Sequence, residues 1–401
     1  MGAVVGAGPV RVVPEGVTHG PSRELLAAGE LCWSRAYLDL EASGEEPLQT
    51  AASWYERQGV GGAGGLYVLG EARYDDWQGP VTVLLDGAGG EVYLARPDAD
   101  GVLRRDLLAS SPGCLIALAG EIEALAGAGE AGAPAGEAGP ERGPAAVAGV
   151  ERAVRERLRA ADPELYRRTA DAPAHWGTVL TIRALAWGAA AGGADGLLYE
   201  VTPELVEDLA TVQGEGTVRR FAEAELPEGL GHGPTRRLLT GAGLPVADRC
   251  VLSVAAEGGL RTLAEARPAD HRGGGEPSGR AYQGGFLVVG GWMYDSVVAL
   301  DGATGRVELP DPWGDGAPAA YLHRDLSALL YVLWTFERLR AARRAAEDLR
   351  TPAPWSVFEP AELLDSAAES VLRALDPEAF ATEDHFWPIR VDDGHLGSLL
   401  E

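Results

Sequence analysis

Two nine-residue words decide how this chain is read: THGPSRELL at Thr18–Leu26 and GHGPTRRLL at Gly231–Leu239. They agree at six of nine positions, and His19 and His232 lie 213 residues apart, as do Arg23 and Arg236. Working outward from each word, further blocks recur in the same order. LYVLGE (Leu66–Glu71) answers FLVVGG (Phe286–Gly291), and LLDGAGGEVYL (Leu84–Leu94) answers ALDGATGRVEL (Ala299–Leu309). LRAADPEL (Leu158–Leu165) matches LRALDPEA (Leu372–Ala379), and His175-Trp176 and Phe386-Trp387 close the two series. Five blocks in one order, at offsets of 211 to 220 residues, read as a tandem duplication, with copies over residues 10–195 and 196–401.

Each copy spells the same succession of elements. The HGP[ST]R word opens a helix, with Ser22 or Thr235 near its start and a Leu-Leu pair on its buried side. The LYVLG and FLVVG runs read as short apolar strands ending in Gly, and the Asp-Gly words as strand, turn, strand. Helices follow. Leu326, Leu329, Leu330, Leu333 and Trp334 recur at helical spacing, and amphipathic stretches precede both Asp-Pro pairs. Strands followed by helices, without strict βαβ alternation, predict an α+β fold. Residues 127–146 are almost only Ala, Gly, Glu and Pro, and 267–284 is a Gly-rich polar loop; neither is assigned regular structure.

Composition narrows the function. The 401 residues carry 60 Asp and Glu against 34 basic residues, all of them Arg, for a net charge of -26. Nucleic-acid binders need basic faces to displace phosphate counterions, so nucleic acid is excluded as a partner, and anionic membranes with it. A basic protein partner fits the charge. Three scattered cysteines (Cys32, Cys114, Cys250) suit neither a disulfide framework nor a zinc site and point to the cytoplasm. The N-terminus lacks the positively charged start of a signal peptide, and no apolar run approaches membrane-span length.

Motifs that resemble chemistry fail on context. His323-Arg324-Asp325-Leu326 imitates a kinase catalytic loop, but the chain has neither Lys nor Asn. GVGGAG (Gly59–Gly64) fits a dinucleotide pattern by letter, yet it precedes a strand instead of joining a strand to a helix. The seven His offer no metal spacing, and His19 and His232 stand at helix starts without an obvious nucleophile. Asp86 and Asp301 read as turn residues that bond their own backbone. No cofactor, metal or catalytic set is expected, although a hydrolase using His19 or His232 is the enzyme class to test. Two loops survive as partner-binding candidates because aromatic residues beside acids are typical interface anchors. They are Tyr74, Asp75 and Trp77 in the first copy, and Trp292, Tyr294 and Asp295 in the second, with Trp313 and Asp315 as a further cluster.

The second copy resembles the SUKH superfamily of immunity proteins, most closely its fourth family. The pattern is Leu226-Pro227, HGPTRRLL, Gly243-Leu244-Pro245, the strand Leu287–Gly290, and the Leu-Asp-Gly hairpin Leu300–Val307. It continues with the helix start Asp325–Ser327, then Asp376 and Phe386-Trp387. The first copy departs from it: Glu30-Leu31-Cys32 replaces Gly-Leu-Pro, Gly89 replaces the hairpin Thr, and Pro112 interrupts the following helix. The resemblance implies two tandem SUKH-like domains, each a mainly antiparallel sheet packed by helices. It also implies a cytoplasmic, non-enzymatic antidote to a cognate secreted toxin, commonly a nuclease or nucleic-acid deaminase. A cytoplasmic adaptor without a toxin partner is the alternative.

Overall fold

The computed structural model describes residues 12–41, 48–73, 81–130, 142–169, 174–188, 193, 196–214, 216–247, 251–266, 281–292, 296–310, 320–349, 357–383, 385–388 and 400. The chain divides into two units. Unit 1 gathers Met1–Ala131, Gly149–Ala184 and Arg343–Ser366; unit 2 gathers Gly132–Ala148, Leu185–Ala342 and Ala367–Glu401. In chain order the first elements are α1 (Gly20–Ala27), β1 (Cys32–Arg35), β2 (Leu38–Glu41), α2 (Ala51–Trp54), β3 (Leu66–Ala72), β4 (Val81–Asp86), β5 (Val92–Pro97) and β6 (Leu103–Ala109). Then come α3 (Pro112–Glu130), α4 (Pro144–Ala161), α5 (Pro163–Arg168), α6 (Ala174–Gly188) and α7 (Pro203–Val212). The remainder is β7 (Thr217–Arg219), α8 (Gly233–Gly241), β8 (Leu244–Val246), β9 (Leu252–Ser253), α9 (Leu263–Ala266), β10 (Leu287–Trp292), β11 (Ser296–Leu300), β12 (Val307–Glu308), β13 (Tyr321–His323), α10 (Leu326–Leu349) and α11 (Pro360–Leu375).

The fold is α+β. In unit 1 the strands form one antiparallel meander in the order β1-β2-β3-β4-β5-β6. Five of the six residues of β4 are buried, the apolar Val81, Val83, Leu84 and Leu85 together with Thr82, which marks a strand covered on both faces. Leu66, Leu84, Ala95 and Leu103 pack with Ala51 and Tyr55 of the α2 segment, and the Tyr55 hydroxyl donates to Thr82 Oγ1 at 2.7 Å. Unit 2 holds an antiparallel sheet in the order β13-β12-β11-β10-β9 and a separate β7-β8 pair. Residues 326–334 of α10 are all at most 2% exposed, so the apolar stripe expected from spacing is burial on every side of the helix.

Three local expectations change. The strands do not end at their glycines: β3 runs on to Ala72 and β10 to Trp292, each with a register shift, at Val68/Gly70 and Val288/Gly290. Glycine is needed there because the neighbouring strand crowds the backbone. A Cβ at Gly70 would lie 2.1 Å from the Asp39 carbonyl oxygen, and one at Gly290 would lie 2.6 Å from that of Ser253. Pro112 does not interrupt α3 but begins it, where a missing N–H costs nothing, while Ser111 Oγ accepts from the Cys114 amide at 3.2 Å. The low-complexity stretch is also shorter than read, since α3 continues through Gly127–Glu130 and α4 starts at Pro144.

The turn between β1 and β2 is unusual. Ala36 (φ 50°) and Tyr37 (φ 60°) both take the left-handed conformation that Gly or Asn normally supplies. Helix side chains hold it: Glu123 of α3 accepts from the Ala36 amide at 3.1 Å, and His175 of α6 bonds the Ala36 carbonyl at 3.2 Å. Arg183 stands over the Tyr37 ring at 5.5 Å and pairs with Glu123 at 3.6 Å.

Candidate partner-binding region

Of the eight candidate anchors, only Trp292 lies among the described residues; Tyr74, Asp75, Trp77, Tyr294, Asp295, Trp313 and Asp315 lie outside them. The candidate loops leave the sheets at equivalent points, after β3 and before β4 in unit 1, and after β10 and before β11 in unit 2. Trp292 is 4% exposed, with its ring edge-to-face against Phe386 at 5.2 Å and Trp387 at 6.2 Å. It is packed in the interior of unit 2. Its β-strand position inside an apolar run was the available signal for that burial.

The HGP[ST]R words build one device twice. His19 and His232 are the N-cap residues of α1 and α8, each followed by Gly-Pro, with Pro in the first turn. His19 Nδ1 lies 2.7 Å from Ser22 Oγ, and His232 Nδ1 lies 2.8 Å from Thr235 Oγ1. Each backbone amide binds the hairpin: Gly87 O accepts from His19 N at 3.0 Å, and Gly302 O accepts from His232 N at 2.8 Å. The arginines finish the device, Arg23 donating to Val17 O at 2.8 Å and Arg236 to Leu230 O at 3.0 Å. In the hairpins, Asp86 Oδ1 accepts from Ala88 N at 2.8 Å, and Asp301 Oδ1 accepts from Ala303 N at 2.9 Å, the turn role expected of both. A His bonded to a hydroxyl is the start of a nucleophile–base pair. Here Ser22 and Thr235 are both 0% exposed, so neither oxygen can meet a substrate and the pairs fix the helix start.

A second device, which spacing alone left as a bare Asp-Pro match, ties the end of the last strand of each sheet to the Asp of a later Asp-Pro pair. Asp162 accepts from Ser110 N and Ser110 Oγ, both at 2.7 Å, and from Leu165 N at 3.0 Å. Asp376 accepts from His323 Nδ1 at 2.9 Å and from Arg324 N and the Tyr321 hydroxyl at 3.3 Å. His323 Nε2 in turn accepts from Trp387 Nε1 at 3.1 Å, which places the imidazole proton on Nδ1. Burial pushes the Asp376 carboxyl up, but the hydrogen bonds, led by that of His323, outweigh it and hold it below the usual range. Burial, followed by the Asp376 charge, pushes the Tyr321 phenol well up. His323 (0% exposed) and Asp376 (3%) lie out of reach of solvent, so this His–Asp pair is structural. Among the described residues no group of His, Cys, Asp and Glu is arranged to hold a metal ion.

Residues 205–393 match the family model described as SUKH-4 immunity protein. That stretch of the chain resembles the SUKH-4 immunity family. No curated protein and no solved structure matches the chain. The SUKH-4 stretch opens inside α7 and runs past Trp387, so it takes in α8, the five-stranded sheet and the His323–Asp376–Trp387 network. Trp292, Tyr294, Asp295, Trp313 and Asp315 fall within it; Tyr74, Asp75 and Trp77 do not. No described helix is long and apolar enough to cross a membrane.

Proposed function

We propose that this protein binds and neutralises a cognate secreted toxin, a nuclease or nucleic-acid deaminase, by protein–protein contact and without catalysis of its own. The observation that carries the reading is the SUKH-4 match over residues 205–393. The net charge of -26 supports it, because a nucleic-acid-directed enzyme carries a basic face that an acidic antidote meets rapidly and tightly. The protein acts in the cytoplasm, where an incoming toxin would reach its substrate. The partner surface lies on the loops bearing Tyr294, Asp295, Trp313 and Asp315, with the Tyr74–Trp77 loop as its counterpart. The chain descends from a tandem duplication with copies over 10–195 and 196–401. The paired His–hydroxyl caps, register shifts and buried aspartates of the two units support that descent.

The test is co-expression with the toxin domain encoded in the adjacent reading frame, followed by co-purification and rescue of growth. A toxin that neither co-purifies nor loses toxicity would refute the immunity reading.

A further inference from the structure

Large hydrophobic side chains left open to solvent are few among the described residues: Val12, Trp54, Val102 and Tyr282. Tyr282 alone lies in the SUKH-4 stretch, and it is 51% exposed. It sits on the short 3₁₀ turn Ala281–Gly285 that leads into β10. Its hydroxyl donates to Glu308 Oε2 at 2.9 Å, and its ring meets Phe286 edge-to-face at 5.7 Å. Glu308 is 2% exposed and also accepts from Gln283 Nε2 at 2.6 Å, while Arg306 pairs with its other oxygen. An exposed aromatic ring is therefore held at its hydroxyl by a buried carboxylate and at its edge by a buried phenylalanine.

That combination has two consequences for binding. A tyrosine fixed in one orientation loses little rotamer freedom when a partner closes over it, so the contact is not spent on ordering the side chain. A phenol that donates to a carboxylate is also polarised toward its ring, and an electron-rich ring face attracts a cation. The chain's excess of acid favours a cationic partner in the same direction. In the first hairpin Tyr93 stands where Glu308 stands in the second, so the carboxylate of this device is not repeated at that position.

We propose that Tyr282 is an anchor of the toxin interface and takes an arginine guanidinium of the basic partner over its exposed ring. The assignment rests on the immunity reading for the partner's identity, but the cation preference of the ring can be tested without the toxin. With the adjacent-frame toxin domain, Tyr282→Ala should weaken binding about thirtyfold with little change in Tm, the scale of an interface hot spot. Tyr282→Phe, which keeps the ring but loses the hydroxyl's bond to Glu308 and the polarisation with it, should weaken it about threefold. Unchanged affinity in both variants would overturn the anchor while leaving the immunity reading intact. In the toxin-free arm, the full-length protein with ring-labelled tyrosine is titrated with the peptide Gly-Arg-Gly and with its neutral citrulline analogue. A shift of the Tyr282 signal with arginine and not with citrulline supports the assignment even if no toxin binds. Equal shifts, or none, overturn it.

Discussion

The imidazole of His19 lies against the backbone of Gly90 so closely that a Cβ there would sit 2.3 Å from Nδ1, and His232 stands in the same relation to Gly305 at 2.4 Å. Both glycines have positive φ, 82° and 83°. Gly90→Ala and Gly305→Ala should therefore each lose about 2–4 kcal/mol, part from the left-handed backbone and part from the clash. Urea denaturation measures it. Adding His19→Ala to Gly90→Ala should recover the clash part only; full recovery would show that the backbone conformation costs nothing.

Asp162 and Asp376, themselves buried, each hold a strand end through several hydrogen-bond donors. Asp162→Ala and Asp376→Ala should each cost about 3 kcal/mol or more, because the donors left behind find no water. A loss under about 1 kcal/mol in either variant, no more than a surface pair is worth, would mean that the node is redundant.

His175 yields a pH dependence. Burial holds its pKa at about 3, against an ordinary value of 6.5, and the bond to the Ala36 carbonyl only partly opposes that. Between those values the unfolded chain takes up a proton that the folded chain refuses. Stability should be full above pH 6.5 and fall as the pH drops towards 3, by at most about 1.4 kcal/mol per pH unit. Urea midpoints of His175→Gln, which removes the titrating ring, should show a shallower slope below pH 6.5. Identical slopes would remove His175 as the source.

Trp292→Ala should cost about 3–5 kcal/mol of stability, the usual result of deleting a buried aromatic ring. Thermal melting checks it, and a melting curve like that of wild type would contradict the packing against Phe386 and Trp387. Interface tests on that loop accordingly belong at Tyr294 and Asp295.

What was legible in the sequence followed from local rules. The Asp-Gly hairpins, the helix starts at HGP[ST]R and the helices before Asp-Pro depend on neighbours within a few residues, and each word states its own turn or cap. Gly70 and Gly290 misled because a glycine after an apolar run reads as a strand end, whereas its cause here is a backbone oxygen on another strand. The Asp376–His323 bond joins residues 53 apart in sequence, and no periodicity encodes it. Trp292 misled for a related reason. Aromatic residues beside acids have the same composition in a buried strand end and in an exposed anchor, and only packing against Phe386, 94 residues later, tells them apart.

The turn at Ala36 and Tyr37 bears on the order in which unit 1 assembles. A glycine turn forms in isolation, so its hairpin can zip early and recruit the rest. This one takes an unfavourable backbone conformation that Glu123 and His175 compensate only after α3 and α6 have docked. The β1–β2 ribbon should thus join the sheet late, and perturbing it should hasten unfolding more than it slows folding, which folding and unfolding rates would check.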